Sequence, residues 1–176
     1  MNGFKAVQVL PGIWHAADCM GVCMTLLAGS EHALLVDTGY GLENVQSFVR
    51  SLTGLPFTVL LTHAHHDHVL GARWFEHTCM LKADLPWFAK YTSHTQRSRV
   101  QEQAQAKGLK PPDDFLTSPI PLPQELEPCS MDLGGITAQI IACPGHTPGS
   151  AVVYVPERRL LLTGDNWNPC TWLFFE

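Results

Sequence analysis

Four histidines and an aspartate lie within six consecutive positions of this sequence, at the end of the stretch LTHAHHDH. They are His63, His65, His66, Asp67 and His68. Imidazole nitrogens and carboxylate oxygens bind divalent first-row metals, and such side chains are seldom buried without partners. Because the cluster directly follows an apolar run, packing alone does not explain it, and we predict a metal site at the end of a strand.

One loop cannot complete such a site. Residues two apart at a strand end, such as His63 and His65, point to the same side, whereas Asp67 and His68 fall in the turn that follows. The loop can therefore serve two adjacent metal ions, but each ion needs further ligands. Later apolar runs supply two candidates at expected strand ends, where loops carry function. These are His146 in CPGHTPGS and Asp165 in LTGDN.

Three motifs in the order THAHHDH, PGHTPGS and TGD closely resemble those of the metallo-β-lactamase-fold hydrolases, including the glyoxalase II-like and lactonase-like branches. With Asp37 in LLVDTG they extend over most of the chain. The resemblance implies an α/β fold, an αββα sandwich with a dinuclear metal site at one edge. Two zinc ions are the cofactors it implies, and iron or manganese are the alternatives.

The resemblance also implies how the ligands divide between the ions. They are His63, His65 and His146 for the first metal, Asp67 and His68 for the second, and Asp165 as a bridge between both. His66 lies between the fixed positions of the motif, so we interpret it as a neighbour of the site and not as a ligand.

Four more residues are expected to serve the site from outside the ligand set. Asp37 and Thr62 would support the ligands through hydrogen bonds. Asn166 and Trp167 adjoin Asp165 and would line a substrate pocket, although packing of the tryptophan on a sheet explains it equally well.

The chain departs from the family pattern at its end, because no histidine follows His146. Members of the family usually have a further histidine on a later strand. We therefore expect a chain that lacks its last strands and helices, or a second metal held by fewer ligands, by Cys170 or by another chain. An uncovered C-terminal sheet edge would favour a homo-oligomer.

The implied activity is hydrolysis of a small-molecule ester, thioester, lactone or amide by a hydroxide shared between two metal ions, with Asp67 as the catalytic residue that orients it. Two alternatives stay open. A mononuclear iron oxidoreductase resembling the sulfur dioxygenases could use His63, His146 and Asp165. A catalytically impaired metal-binding fragment is the other.

Short β-branched runs separated by turn signals predict strands, and a helical spacing of apolar residues predicts a helix at 42–52. The strands are expected at 5–16, 22–28, 32–37, 57–62, 136–143, 151–155 and 160–163. The first and last groups should form antiparallel meanders. Residues 1–176 are expected to form one domain, with a helical and Pro-rich insertion at about 83–126 that adds no core of its own.

Composition excludes several partners. The 176 residues carry a net charge of -5 without a cluster of lysine or arginine, so neither nucleic acid nor an anionic membrane is an expected partner. The chain shows no secretory signal and no apolar run of transmembrane length, and its six cysteines are expected to be reduced. A small-molecule substrate and a cytoplasmic location are therefore expected.

Overall fold

The structure, a computed structural model, describes residues 3–167 and contains two stacked β-sheets with helices against the outer face of the larger sheet. The larger sheet has seven strands in chain order. They are β1 (Lys5–Leu10), β2 (Ile13–Ala17), β3 (Cys23–Ala28), β4 (Ala33–Val36), β5 (Phe57–Leu61), β6 (Cys79–Leu81) and β7 (Gln124–Leu126). Strands β1 to β4 pair antiparallel, whereas β4 to β7 pair parallel. The carboxyl ends of β4, β5 and β6 therefore meet at one edge of the sheet.

The smaller sheet is an antiparallel meander in the order β11-β10-β9-β8. Its strands are β8 (Cys129–Asp132), β9 (Thr137–Ala142), β10 (Ala151–Val155) and β11 (Leu160–Leu162). The two sheets bury a shared apolar layer to which β4 and β5 contribute Leu34 and Leu60, and β9 and β10 contribute Ile140 and Val153. This layer fixes the sheets face to face, so the strand ends of both sheets can build one site.

Four α-helices lie among the described residues. They are α1 (Val45–Leu52), α2 (His66–Val69), α3 (Leu85–Tyr91) and α4 (His94–Ala106). Helix α1 begins after Asn44, whose side chain accepts a hydrogen bond from the Ser47 N–H at 2.9 Å. Its buried residues Val45, Phe48 and Val49 follow helical spacing and pack on the outer face of the larger sheet.

The αββα sandwich type is confirmed for three of its layers, namely helices, larger sheet and smaller sheet; no fourth, helical layer occurs within residues 3–167. Both antiparallel meanders are confirmed as well. The predicted strand at 5–16 is instead a hairpin that turns at Gly12, where φ is 76°. The predicted helix at 42–52 begins three residues later, because Asn44 caps it.

Residues 83–126 differ from the expectation in one respect. The segment holds α3 and α4, which are separated because the Ser93 side chain caps the second helix. The expectation that it adds no core is wrong, because Phe115 is fully buried with Val100 and Ala104 of α4. Arg97 reinforces this packing by donating hydrogen bonds to the carbonyls of Leu116 and Ser118.

Among residues 3–167 no helix combines the length and apolar character needed to cross a membrane.

Candidate metal centre

Three loops at one edge of the sandwich bring the predicted ligands together. The segment after β5 carries His63 and His65 in a loop and Asp67 and His68 in the short helix α2, the loop after β9 carries His146, and the turn after β11 carries Asp165. Two groups of possible ligands share His63: one adds His65 and His146, and the other adds His68 and Asp165. Within each group the ligand atoms lie within 4.8 Å of one another.

The three-histidine group has a geometry that suits zinc. His65 Nδ1 lies 3.1 Å from His63 Nε2 and 2.9 Å from His146 Nε2. Nitrogens bound tetrahedrally at 2.0–2.1 Å would be separated by about 3.3 Å, so a zinc ion fits with only a small displacement. All three side chains are buried. The donor set therefore fits a metal ion.

The protonation of these histidines favours metal binding. Burial, followed by the charge of His68, holds the pKa of His63 well below its usual range. Burial, followed by the charge of His146, lowers the pKa of His65 to about 4. Both rings are therefore neutral near pH 7, and a neutral imidazole has a lone pair available for a metal ion.

The second group is built around His68. Its Nε2 lies 3.3 Å from Asp165 Oδ1 and 3.7 Å from Asp67 Oδ2. Burial alone would lower the pKa of His68, but Asp37, Asp165 and Asp67 outweigh it and raise that pKa well above its usual range. The carboxylates thus favour a positive charge at this position, which a metal ion would supply in place of the proton.

Asp165 lies between the two groups. One oxygen, Oδ1, faces His68 at 3.3 Å, and the other, Oδ2, lies 3.7 Å from His146 Nε2. Burial would raise the pKa of Asp165, but the hydrogen bond from His68 and the charges of His68, His146 and His65 together outweigh it and lower the pKa below the usual value, so the side chain is ionised. Gly164 precedes it with a φ of 51° and lies against Thr62, which directs the turn into the site.

Asp37 and Thr62 contact two of the predicted ligands through the ring nitrogens that do not face the site. Asp37 Oδ2 accepts a hydrogen bond from His68 Nδ1 at 2.9 Å, and Oδ1 accepts one from the Thr62 N–H at 2.8 Å. The Thr62 hydroxyl donates to Asp37 and lies 3.1 Å from His63 Nδ1, from which it can accept. Both histidines thereby keep their Nε2 atoms directed into the site and free of a proton once a metal binds.

Sequence comparison agrees with this geometry. The family model of the Metallo-beta-lactamase superfamily matches residues 17–170. The chain belongs to this superfamily.

Curated superfamily relatives include several hydrolases. The chain is 30% identical over 142 residues to the probable metallo-hydrolase YybB of Bacillus subtilis (74% of this chain, 55% of YybB). It is 29% identical to the hydroxyacylglutathione hydrolase GloC of Haemophilus influenzae (81% of this chain, 65% of GloC). It is 24% identical to the acyl-coenzyme A thioesterase MBLAC2 of Gallus gallus (80% of this chain, 55% of MBLAC2). The chain thus spans little more than half the length of most of these relatives.

Solved structures give the same fold. The metallo-beta-lactamase family protein TTHA1429 of Thermus thermophilus is 21% identical and has a TM-score of 0.60, with 90% of this chain and 60% of that chain covered. TTHA1623 in a di-iron-bound form is 28% identical and has a TM-score of 0.57, with 92% and 71% covered.

A cavity of about 260 Å³ opens over the metallo-β-lactamase-type site. Tyr91 of α3 and Gln96 of α4 line it together with His65, Asp67, His146 and Asp165, and the Tyr91 ring lies 4.7 Å from that of His65. His66 lines it as a neighbour of the ligands, as interpreted from the sequence, and its Nδ1 is buried. Sequence reasoning did not single out Tyr91 or Gln96, because they belong to the insertion and follow no motif.

Asn166 and Trp167 have different surroundings. Asn166 Oδ1 accepts a hydrogen bond from the His146 backbone N–H at 3.2 Å, so it holds a ligand loop. Trp167 is 77% exposed. Their role in a substrate pocket stays a prediction. Cys170, the proposed substitute ligand, lies outside the described residues, and the five described cysteines form no disulfide.

Asp84 is a further residue that sequence reasoning missed. It follows β6, a three-residue strand with too few positions to show alternation. Its carboxylate is fully buried and accepts hydrogen bonds from both histidine-bearing loops. A lone aspartate after a short apolar run gives no signal for such a role.

Proposed function

We propose that this chain carries the active site of a dinuclear zinc hydrolase that cleaves small-molecule thioesters. The observation that carries this proposal is the position of Asp165, whose two oxygens face one histidine of each ligand group. A carboxylate in this position can bridge two ions about 3.5–4 Å apart. The first ion would be held by the three histidines, and the second by Asp67 and His68.

Two bound zinc ions would lower the pKa of a water molecule toward 7 and polarise the substrate carbonyl. The protein residues supply position and proton transfer. Asp67 is one-quarter exposed and lines the cavity, so a carboxylate oxygen of Asp67 can orient the attacking water and accept its proton. Asp37 keeps the proton of His68 on Nδ1, which leaves Nε2 for the metal.

The thioester class is supported by two relatives. The names of GloC and MBLAC2 describe hydrolysis of a hydroxyacylglutathione and of an acyl-coenzyme A, both of which are thioesters. A thiolate is a good leaving group, so the reaction needs no strong general acid. Tyr91 and Gln96 line the small cavity together with the proposed ligands, so they can contact an acyl group of modest size.

The proposal is tested with purified protein and a panel of thioesters that includes S-lactoylglutathione and short acyl-coenzyme A esters, by measuring thiol release. We expect turnover that a chelator abolishes and zinc restores. His63→Ala should lose both bound zinc and turnover, because His63 belongs to both ligand groups. His77→Ala is the matched control, since that side chain is exposed beside Glu76. Turnover that survives His63→Ala would contradict the proposal.

Iron chemistry is the second candidate, favoured by one comparison. TTHA1623 has been solved with two iron ions, and this chain resembles it over 92% of its length. His63, His146 and Asp165 also form the two-histidine, one-carboxylate set of non-heme iron enzymes. Iron in the purified protein, together with oxygen consumption in place of thiol release, would favour this alternative.

A further inference from the structure

Asp84 joins the two loops that carry the three-histidine group. Its Oδ2 accepts hydrogen bonds from the Ala64 N–H at 2.7 Å and from the Thr147 hydroxyl at 2.9 Å. Its Oδ1 accepts a hydrogen bond from the Gly149 N–H at 2.7 Å. Ala64 lies between His63 and His65, and Thr147 directly follows His146. One carboxylate therefore connects the backbone of both loops beside the ligands.

The connection is needed because the two loops leave different sheets. The first loop follows β5 of the larger sheet, and the second follows β9 of the smaller sheet. Pairing within a sheet cannot set the distance between them. A backbone hydrogen bond from the Ala151 N–H to the Thr62 carbonyl ties the strand ends at 2.8 Å, and Asp84 ties the loops that extend beyond those ends.

The second loop also approaches the backbone of Asp84 closely. A Cβ atom on Gly149 would lie closer to the Asp84 backbone nitrogen than van der Waals contact allows. Glycine at this position thus lets the second loop approach the carboxylate. Asp84 itself is fully buried, so it does not contact substrate and is not a catalytic residue.

We propose that Asp84 is a positioning residue that sets the separation of His146 from His63 and His65, and with it the zinc affinity of the three-histidine group. This inference rests on the proposed function, because it takes these histidines as zinc ligands. Metal sites tolerate deviations of only about 0.2 Å in ligand distance. A loop displaced by more than this would bind the ion with two good ligands instead of three.

Asp84→Asn tests the inference, because the substitution removes the charge and one acceptor oxygen but hardly changes the volume of the side chain. The asparagine has one oxygen and one NH2 group, so an N–H donor of Ala64 or Gly149 must face another donor. That loop is then expected to move away. Because Asp84→Asn brings two buried donors together, Thr147→Val is a milder second variant, which removes the hydrogen bond from the Thr147 hydroxyl to Asp84 and the contact of that hydroxyl with Ser150. Thr147→Ser keeps the hydroxyl, and Asp113→Asn, at an exposed position, is the matched control.

The measurement is zinc affinity by competition with a chromogenic chelator, at a temperature where circular dichroism shows each metal-free variant to be folded. For Asp84→Asn we expect one of the two zinc dissociation constants to rise by about 10–100-fold, as for other residues that support metal ligands. Thr147→Val should raise the same constant by a smaller factor. Thr147→Ser and Asp113→Asn should stay close to wild type.

Three outcomes would overturn the inference. Variants that melt at lower temperature but keep both dissociation constants would show that Asp84 only stabilises the fold. An equal loss of zinc affinity at both sites would show that the substitution disturbs the whole site and not the position of His146 alone. A wild-type chain that binds no zinc would overturn this inference and the proposed function together, whereas zinc binding without thioester hydrolysis would contradict only the proposed function.

Discussion

At the residue scale, the chemistry depends on which ring nitrogen of each histidine carries a proton. Asp37 accepts the Nδ1–H of His68, and the Thr62 hydroxyl, itself bound to Asp37, faces Nδ1 of His63. A single carboxylate thus controls one histidine directly and a second through Thr62. Asp37 has a left-handed backbone with φ of 66°, which asparagine also tolerates, so its charge can be tested without strain.

We expect Asp37→Asn to weaken the second zinc site by about 10–100-fold and to lower kcat/KM in parallel. If the amide oxygen stays on the Thr62 N–H, the NH2 group faces His68, whose proton must then move to Nε2, the atom needed for zinc. The measurements are zinc stoichiometry and thioester kinetics, with Asp113→Asn as the control. A variant with two zinc ions and normal kinetics would refute this account of Asp37.

The proposed ligands could be predicted from the sequence, because four of them lie in one short motif and two follow predicted strands in short motifs. Asp84, Tyr91 and Gln96 were not accessible. Their partners are distant in the sequence and meet them only through tertiary packing. A residue whose role depends on such packing leaves no local pattern to detect.

At the element scale, strands with several apolar positions were predicted from the sequence, and β6, β7 and β8 were missed. Strands β7 (QEL) and β8 (CSMD) are short and contain polar residues, and β6 (CML) is a three-residue run without the preceding turn signal that marks the equally short β11. The expectation that the segment 83–126 adds no core was also wrong. Its prolines suggested a surface segment, whereas Phe115 packs the Pro-rich part of the segment against α4.

Phe115→Ala should lower the free energy of unfolding by about 3–5 kcal/mol, because it leaves a cavity beneath α4. Chemical denaturation monitored by circular dichroism measures the loss. Leu122→Ala in the same segment is the matched control, and since Leu122 is 70% exposed we expect a change below about 0.5 kcal/mol. Similar values for both variants would mean that Phe115 does not anchor the insertion.

At the scale of the whole molecule, the proposed ligands come from both sheets. Ligands from the loop after β5 belong to the larger sheet, whereas His146 and Asp165 follow strands of the smaller sheet. A metal ion bound by ligands from both sheets would have to be released before the sheets could separate. Metal binding is therefore expected to stabilise the fold as well as to supply the chemistry.

Removal of metal should lower the melting temperature. At a free zinc concentration about 100 times Kd, binding to the folded chain alone contributes about 3 kcal/mol. For a chain of this length this corresponds to roughly 6–12 °C for each zinc site. Thermal scans with and without a chelator measure the shift, and His63→Ala should show no chelator effect. An identical melting temperature with and without metal would show that the ions do not link the sheets.

The central claim is that the three histidines hold one zinc ion, that Asp67 and His68 hold a second, and that Asp165 lies between them. It is tested most directly by measuring metal identity and stoichiometry by mass spectrometry on protein purified without added metal. We predict two zinc ions per chain. One iron ion per chain would contradict the claim in favour of oxygen chemistry, and a chain without metal that also fails to bind added zinc would contradict it altogether.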